Sequence, residues 1–409
     1  MAKLSLVLFF LIIYFPLSAN AMISDYFQTG SYPIVVEFGF EYLHPSFGSI
    51  DNVVIRNPQT SSDVAPVVGG VSQVYPDVFA QTIKAKILLD EVKKADLTLQ
   101  TFLPLNALAQ MDSGNTYLPE YVLYRTEKQR PRVSAMGEMN LSDSFRVGLG
   151  LDLGFGVTSE ATIFLQSGAG KYSNQRISAT VKPRIIPIGE FEYDDYLFLI
   201  KAENKVNFSL NTSAGASVFP PLSASFDISY STNSALFFDP WTFDLSRRYR
   251  LSSVGMDTWA VDLGISYQLW SRFQSRAAVI NDVSGTFTNG LAPSFTPRNL
   301  LVPRISIEKN FGMQRWELGY EFKDSIFKDT PSANGNYLDP PRHSFSLAAL
   351  FPLSSGWEWG ASLQVSRLTP QSVVKSDVTE IGAPGYQASG WLYGGNLNLT
   401  IPFEVSKKR

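Results

Sequence analysis

The sequence of 409 residues contains no cysteine and only two histidines. Without cysteine, neither disulfide bonds nor thiolate chemistry is possible, and two distant histidines do not form the ligand spacing of a metal site. Charged residues make up 17% of the chain, and 34 basic residues stand against 37 acidic ones, so no basic surplus is present to neutralise a nucleic acid. We therefore expect no metal, no cofactor and no nucleic-acid partner.

Long apolar runs are also missing, except at the N-terminus. There Lys3 is followed by an apolar run over residues 4–15 and by the small-residue triplet Ala19-Asn20-Ala21. This order is typical of a secretory signal peptide, so we expect residues 1–21 to be removed and residues 22–32 to form a short periplasmic segment. No later run reaches the roughly 18 apolar residues of a membrane-spanning helix.

What the sequence does contain is a two-residue alternation. Between Phe145 and Val157 the odd positions are all apolar, and the even positions are glycine, arginine or aspartate. Because the side chains of a strand point alternately to opposite faces, such a segment lies between an apolar and a polar medium. The same alternation recurs in the segments 205–217, 222–231, 259–269, 316–323, 357–366 and 395–403.

Strands of this length and pattern indicate a transmembrane antiparallel β-barrel, since a closed barrel leaves no unpaired backbone edge in lipid. We predict an all-β fold in which residues 33–403 form one barrel of fourteen strands and the polar segment 404–409 is a tail. A further strand pair within residues 175–202 would give sixteen strands, and this alternative stays open.

The links between these strands alternate between short and long. Short links are predicted at residues 89–94, 142–144, 219–221, 270–272, 310–315 and 352–356, and long ones at 44–76, 104–131, 158–174, 233–257, 282–302, 324–342 and 368–388. In outer-membrane barrels short turns face the periplasm and long loops face outward. We therefore expect the short-link end to be periplasmic.

The polar faces of the strands predict a lumen with charges of both signs. The residues expected to face it are Arg132, Glu138, Arg146, Asp152, Asp227, Asp262, Arg276, Arg304, Glu308, Glu317, Glu321 and Glu358. A ring of one sign would indicate ion selectivity, whereas a mixture indicates internal pairing that braces or fills the bore. Ordinary wet lumen residues would give the same pattern.

An aromatic segment at residues 236–249 is the candidate for ligand binding. Exposed rings cost solubility unless they bind a ligand or pack into the mouth of the barrel. One interpretation is a capture surface, in which four rings bind an apolar ligand and an arginine binds its carboxylate: Phe237, Phe238, Trp241, Phe243, with Arg247, Arg248 or Arg250. The other interpretation, which we favour, places these rings in the aromatic girdle at the membrane interface.

Three residue types of a hydrolytic site occur near the start of one predicted strand: Asp339, His343 and Ser344. Residue types alone do not establish the geometry of a nucleophile, a base and an orienting group. A solvated histidine at a junction between loop and strand is the simpler explanation. We therefore predict that the protein is not an enzyme.

The segments Asn299–Glu308, Trp316–Phe322 and Tyr337–Leu347, the last of which contains Pro340-Pro341-Arg342-His343, resemble a stretch of the FadL/TodX family. Residues 99–105 and 132–156 resemble the early strands of that family in order and spacing. The family consists of outer-membrane transporters for long-chain fatty acids and aromatic hydrocarbons. The resemblance implies the same barrel and the same class of substrate here.

The sequence departs from that family at one point. The family begins with an N-terminal hatch that bears an Asn-Pro-Ala motif and plugs the lumen. Here only Met22 to Tyr32 precede the first predicted strand, and Asn57-Pro58-Gln59 lacks the alanine. We therefore expect the hatch to be missing, and a loop such as 158–203 to occlude the pore instead.

Together, these patterns predict a channel for passive uptake of hydrophobic small molecules such as fatty acids or hydrocarbons. The channel is expected to be exported by its signal peptide and surrounded by outer-membrane lipid. A general diffusion porin is the alternative, and a barrel hydrolase is a less favoured one. The patterns do not predict an oligomeric state.

Overall fold

The computed structural model describes residues 33–47, 54–56, 64–66, 77–92, 94–105, 120–121, 131–155, 157–167, 171–181, 183–214, 235–251, 259–273, 297–327, 337–353, 356–374 and 385–403. The expected signal peptide, the segment up to residue 32 and the tail after residue 403 lie outside these ranges. Within them, no helix is both long enough and apolar enough to cross a membrane.

The described ranges contain twenty-two strands and a short 3₁₀ turn at Trp270–Arg272. In chain order the strands are β1 (Ile34–Phe47), β2 (Val54–Arg56), β3 (Val64–Pro66), β4 (Val78–Asp90), β5 (Ala95–Pro104), β6 (Glu120–Tyr121), β7 (Arg132–Asn140), β8 (Phe145–Gly154), β9 (Val157–Ser167), β10 (Lys171–Val181), β11 (Arg184–Tyr193), β12 (Tyr196–Lys201), β13 (Asn204–Ala214), β14 (Ala235–Asp239), β15 (Thr242–Leu251), β16 (Trp259–Gln268), β17 (Leu300–Phe311), β18 (Gln314–Lys323), β19 (Tyr337–Leu338), β20 (Arg342–Pro352), β21 (Glu358–Val374) and β22 (Gly385–Phe403).

Fourteen of these strands close into one antiparallel barrel. Around the barrel the order is β1, β22, β21, β20, β18, β17, β16, β15, β12, β11, β8, β7, β5 and β4, which pairs again with β1. The first and last strands of the chain close the barrel, with Ile34 opposite Phe403 and Phe47 opposite Gly390. The predicted all-β barrel of fourteen strands is confirmed, and the barrel does not contain sixteen.

The links at one end of the barrel are short. They lie at residues 91–94, 141–144, 194–195, 252–258, 312–313 and 353–357, at the same end as Ile34 and Phe403. The short links predicted at 89–94, 142–144, 310–315 and 352–356 are correct, and 219–221 lies outside the described residues. The prediction at 270–272 is wrong, because this 3₁₀ turn begins the long link between β16 and β17 at the opposite end.

The membership of the barrel also differs from the prediction. The alternating segment 205–217 corresponds to β13, which lies outside the barrel in a four-stranded sheet of order β14, β13, β10, β9. The hairpin of β11 and β12 forms part of the barrel, and it turns at Asp194, whose φ is 51°. Alternation shows only that the two faces of a strand have different surroundings, so it does not separate a barrel strand from a strand of an added sheet. The predicted strand at 222–231 lies outside the described residues.

Two predicted loops are strands instead. The long link expected at 233–257 contains β14 and β15, and the occluding loop expected at 158–203 contains most of β9 together with β10, β11 and β12. These segments are rich in polar and aromatic residues at the rim, where a strand that extends beyond the membrane loses its apolar face. The segment expected to form an occluding loop is therefore mostly strand, with β11 and β12 in the barrel and β9 and β10 in the four-stranded sheet.

The outer surface of the barrel is apolar. On β8 the outward-facing Leu149, Leu151 and Leu153 are 68%, 47% and 40% exposed, whereas Asp152 between them is 1% exposed. Outward-facing residues on other strands continue this belt: Phe38, Phe40, Leu263, Ile265, Ile305, Ile307, Phe345 and Leu363. Monomeric proteins in water do not expose apolar belts of this extent, so the belt is the surface that contacts lipid.

Candidate functional site

The inward-facing side chains of the barrel enclose a cavity of about 600 Å³. Among the residues predicted to face the lumen, seven line this cavity: Arg132, Glu138, Arg146, Asp152, Asp262, Arg304 and Glu358. Three others occupy inward-facing positions on β17 and β18: Glu308, Glu317 and Glu321. Asp227 and Arg276 lie outside the described residues.

On one side of the lumen, charged side chains of β4, β5, β7 and β8 form a cluster near the short-link end. Lys86 Nζ lies 3.2 Å from Asp96 Oδ2, and Arg146 Nη2 donates to the same carboxylate oxygen at 2.7 Å. Arg146 also forms an ion pair with Glu138. Two cations and two anions therefore neutralise each other on adjacent strands, as buried charges require.

The same wall carries a second ion pair nearer the long-link end. Arg132 Nε donates to Asp152 Oδ2 at 3.0 Å, and the Asp152 side chain is only 2% exposed. This pair joins β7 to β8, so it braces neighbouring strands of the wall.

On the other side of the lumen, Arg248 of β15 links three strands. Its Nη1 lies 3.3 Å from Asp262 Oδ2 on β16, and its Nη2 lies 2.8 Å from Glu308 Oε2 on β17. Arg304 Nη1 lies 3.6 Å from Asp244 Oδ1 and crosses Gly264, where an added Cβ would be only 2.3 Å from Arg304 Nε. Gly264 therefore gives the Arg304 side chain room to lie along the wall.

At the long-link end, seven apolar side chains form a buried group, which we call the mouth cluster: Phe238, Trp270, Phe273, Leu300, Val302, Ile326 and Phe327. Leu300 and Val302 share the inward-facing positions of β17 with Arg304, so the cluster packs against the inner wall. The remaining members come from β14 and from the links that follow β16 and β18. Chain segments outside the barrel strands thus fold into its mouth.

Aromatic packing holds the centre of the mouth cluster. The ring of Phe238 lies 5.7 Å from that of Trp270 and 5.5 Å from that of Phe273, measured between centroids. Trp270 Nε1 donates to Gln268 Oε1 at 2.7 Å, so the indole N–H keeps a partner although the ring is buried. Phe238 and Ile326 are 1% and 0% exposed.

Hydrogen bonds fix the link after β18 in the mouth. Arg298 Nε donates to the carbonyl oxygen of Ser325 at 2.9 Å, and Arg298 Nη2 lies 2.6 Å from Asp324 Oδ2. The backbone N–H of Ile326 donates to Asp339 Oδ2 at 2.8 Å. Burial raises the pKa of the Asp339 carboxyl, while the positive charge of Lys323 acts in the opposite direction.

The residues of the predicted capture surface do not lie together. Phe238 belongs to the mouth cluster, and Phe237 lies beside it in the chain, on β14. Trp241 and Phe243 stack at the outer rim with centroids 6.3 Å apart, at the long-link end of the barrel. Trp241 and Phe243 therefore lie at the outer rim, whereas Phe238 is buried in the mouth cluster.

The three arginines of that surface lie nearer the opposite end of β15. Arg247 faces outward between two tyrosines, Arg248 pairs with acids inside the lumen, and Arg250 lies 3.9 Å from Asp195 with its side chain 76% exposed. None of these three cations contacts the mouth cluster within the described residues. A cation that does contact the cluster is Lys323, whose Nζ lies 5.0 Å from the ring centroid of Trp270.

The sequence patterns did not identify Trp270, Phe273, Ile326, Phe327 or Lys323 as functional. An available signal was the occurrence of large apolar residues in links, directly after the alternating segments end. Such residues cost solubility in an exposed loop, so their presence indicates that the link folds back onto the protein.

The three hydrolytic residue types are separated. His343 faces outward, where its Nδ1 lies 2.9 Å from the hydroxyl of Tyr320. Ser344 faces the opposite side of β20 and is hydrogen-bonded to Ser366 at 2.8 Å, and Asp339 accepts from the backbone of Ile326. Because consecutive strand residues point to opposite faces, His343 is not placed to activate Ser344.

The architecture of this barrel is similar to that of several solved structures. No protein-family model and no curated protein sequence matches the chain. Among solved structures, it is similar to a Pseudomonas aeruginosa FadL homologue, with a TM-score of 0.56 and 12% identity over 90% of this chain and 89% of that one. The chain has a FadL-type fold.

Two further solved structures support this assignment of the fold. A CymD monoaromatic hydrocarbon channel matches with a TM-score of 0.50 and 12% identity over 96% of this chain and 94% of that one. The Ralstonia pickettii toluene transporter TbuX matches with a TM-score of 0.50 and 9% identity over 92% and 91% of the two chains. The sequence resemblance to the FadL/TodX family predicted this fold, and the fold is confirmed.

Proposed function

We propose that this protein is an outer-membrane channel for the passive uptake of hydrophobic small molecules. The mouth cluster carries the proposal, because it places buried aromatic rings inside the mouth of a barrel whose lumen is otherwise charged. These side chains pack against one another, so a solute must open the cluster to pass, and an apolar solute replaces the apolar contacts that are lost whereas a polar solute does not. The hydrocarbon channel and the toluene transporter with a similar fold support the same class of substrate.

Fatty acids fit the chemistry beside the mouth cluster as well as hydrocarbons do. Lys323 lies over Trp270, and Arg342 is opposite Lys323 in the register of β18 and β20. Both residues occupy inward-facing positions, so a carboxylate bound there would have its chain against the apolar side chains. We propose these two cations, rather than Arg247, Arg248 or Arg250, as the carboxylate-binding residues.

The proposal includes the orientation and export of the chain. Short turns of outer-membrane barrels face the periplasm, so the end with Ile34 and Phe403 is the periplasmic one. Residues 1–21 would direct export, 22–32 would remain as a short periplasmic segment and 404–409 as a tail. Transport down a gradient requires no cofactor, and the surrounding lipid contacts the apolar belt.

The test is the binding of a fluorescent long-chain fatty acid to the purified protein. The double variant Phe238→Ala/Trp270→Ala removes the centre of the mouth cluster, and we expect the dissociation constant to rise at least about tenfold, because two large apolar contacts are lost. Phe243→Ala is the matched control, since this ring faces outward at the same end of the barrel. Equal binding by the double variant and the control would contradict the proposal.

A general diffusion porin is the second candidate. The observation that favours it is the lining of the cavity, which carries charged side chains of both signs on most of the barrel strands. Such a lumen holds water well, and a polar solute that passed the mouth would cross it. The conductance of the purified protein in planar bilayers separates the two candidates.

A further inference from the structure

Two cations lie on the outer surface of the barrel towards its short-link end, each in contact with two aromatic rings. The guanidinium carbon of Arg247 lies 4.7 Å from the ring centroid of Tyr196 and 4.7 Å from that of Tyr249. Lys309 Nζ lies 4.5 Å from the ring centroid of Trp259 and 4.2 Å from that of Phe311. Cation–π contacts of this kind hold the charge in place while leaving it accessible to an anion.

The two groups form one continuous surface. Trp259 pairs with Leu251 on β15 and with Lys309 on β17. Tyr249 pairs with Val261, which is two residues from Trp259 on the same face, so the rings of Tyr249 and Trp259 are diagonal neighbours. We call this surface on β12, β15, β16 and β17 the basic aromatic arc: Tyr196, Arg247, Tyr249, Trp259, Lys309 and Phe311.

The arc is positively charged. The outward-facing positions of its four strands contain no acidic residue in the described sequence, and Arg247 and Lys309 are their only lysine or arginine residues. Asp195 and Tyr196 both border the lumen cavity at this turn, and Asp195 lies 3.9 Å from Arg250. The neighbouring arginines of β15, Arg248 and Arg250, line the lumen as well.

The arc lies at the edge of the apolar belt. Along β15 and β16, the outward-facing Leu245, Leu263 and Ile265 lie further from the short links than the arc does. Along β17, Phe311 is the last residue before the turn at 312–313. Rings at the end of an apolar belt occupy the level of lipid headgroups, where phosphate groups are found.

We infer that the basic aromatic arc binds anionic phospholipids, with headgroup phosphates at Arg247 and Lys309 and acyl chains along the apolar belt. An anionic lipid surface attracts one interfacial lysine or arginine strongly enough to change binding about fivefold. The aromatic rings hold both cations at the interface, so little side-chain freedom is lost when the phosphate binds. The site lies outside the lumen and does not depend on what the channel transports.

The test uses the purified full chain in phosphatidylcholine vesicles that contain a trace of spin-labelled phosphatidylglycerol or spin-labelled phosphatidylcholine. Electron spin resonance measures the fraction of each lipid immobilised by the protein. We expect the wild-type protein to prefer phosphatidylglycerol, and Arg247→Gln and Lys309→Gln each to lower this preference about fivefold. High salt should lower the wild-type preference too, because the attraction is electrostatic.

Arg250→Gln is the matched control. It removes the same charge from the same end of β15, but this side chain lines the lumen instead of facing lipid. Its lipid preference should equal that of the wild-type protein, and at matched ionic strength inorganic phosphate should displace no more spin-labelled lipid than chloride does. No wild-type preference for phosphatidylglycerol, or an equal loss in Arg250→Gln, would overturn the inference.

The salt dependence of the wild-type protein tests the inference without any variant. Arg247→Lys supplies a further test, since it keeps the charge and should keep most of the preference. Loss of preference in Arg247→Lys equal to that in Arg247→Gln would show that charge is not what binds the lipid.

Discussion

Arg248 on β15 and Glu308 on β17 form an ion pair at 2.8 Å that crosses the intervening strand β16. The same guanidinium reaches Asp262 on β16, so one cation serves two acids on adjacent strands. Glu317 faces Glu308 in the register of β17 and β18, which adds a third acid to the same wall. Asp262 and Glu308 therefore share Arg248 as an ion-pair partner on this side of the lumen.

Removal of Arg248 should destabilise the barrel. In Arg248→Met, Asp262 and Glu308 lose their shared cation while they remain largely buried, with side chains 15% and 8% exposed. We expect a loss of about 3–5 kcal/mol in the free energy of unfolding, measured by urea denaturation in detergent micelles. Arg250→Met should cost less than about 1 kcal/mol, because its side chain is 76% exposed and 3.9 Å from Asp195. Equal costs would show that the network does not stabilise the wall.

Gly264 should tolerate no side chain without a movement of Arg304. In Gly264→Ala the new Cβ would lie 2.3 Å from Arg304 Nε, so the arginine must move away from Asp244. We expect a cost of about 1–3 kcal/mol in the same unfolding measurement. The control is Gly154→Ala, where the nearest atom to the new Cβ is 3.9 Å away. A Gly264→Ala variant as stable as the control would show that the Arg304 side chain can take another position at no cost in stability.

Lys323 should discriminate between acids and hydrocarbons. In Lys323→Met the apolar contacts around Trp270 remain and the charge is lost. We expect a long-chain fatty acid to bind about tenfold more weakly, and the matching neutral alkane to bind as before, as measured by competition with a fluorescent ligand. Equal loss for both ligands would mean that Lys323 acts through packing and not through its charge.

The separation of Asp339, His343 and Ser344 predicts that the protein does not hydrolyse esters. Purified protein should show no activity above the buffer rate on p-nitrophenyl esters, and His343→Ala and Ser344→Ala should not change this. Activity that disappears in both variants would contradict the geometry, in which Tyr320 and Ser366 occupy the hydrogen bonds of the two residues.

The alternation of side chains predicts the barrel because it follows directly from strand geometry. Leu151, Asp152 and Leu153 are one example, because consecutive residues of this strand face opposite sides. Asp152 is buried on the inner face, and the two leucines are exposed on the outer face. The ion pair of Arg248 with Glu308 is different, because it depends on the register of β15, β16 and β17 together. That register is set by three-dimensional pairing and is not visible in the spacing of residues along the chain.

The apolar residues in the links indicate that the links fold back onto the protein, but the position of the cluster in the mouth was not predictable, for a related reason. Phe238, Trp270 and Ile326 come from three separate parts of the chain, and none of them belongs to a repeating pattern. Each could lie at the outer rim or fold into the mouth, and both positions remove an apolar side chain from water. Only the packing of the links against the inner wall separates these two outcomes.

The most direct test of the channel proposal is the conductance of the purified protein in planar bilayers, with and without a long-chain fatty acid. If the mouth cluster controls access, the wild-type protein should show little conductance together with saturable fatty-acid binding, and Phe238→Ala/Trp270→Ala should show larger conductance. Large, steady conductance steps in the wild-type protein that do not respond to the fatty acid would contradict the account and would favour a general diffusion porin.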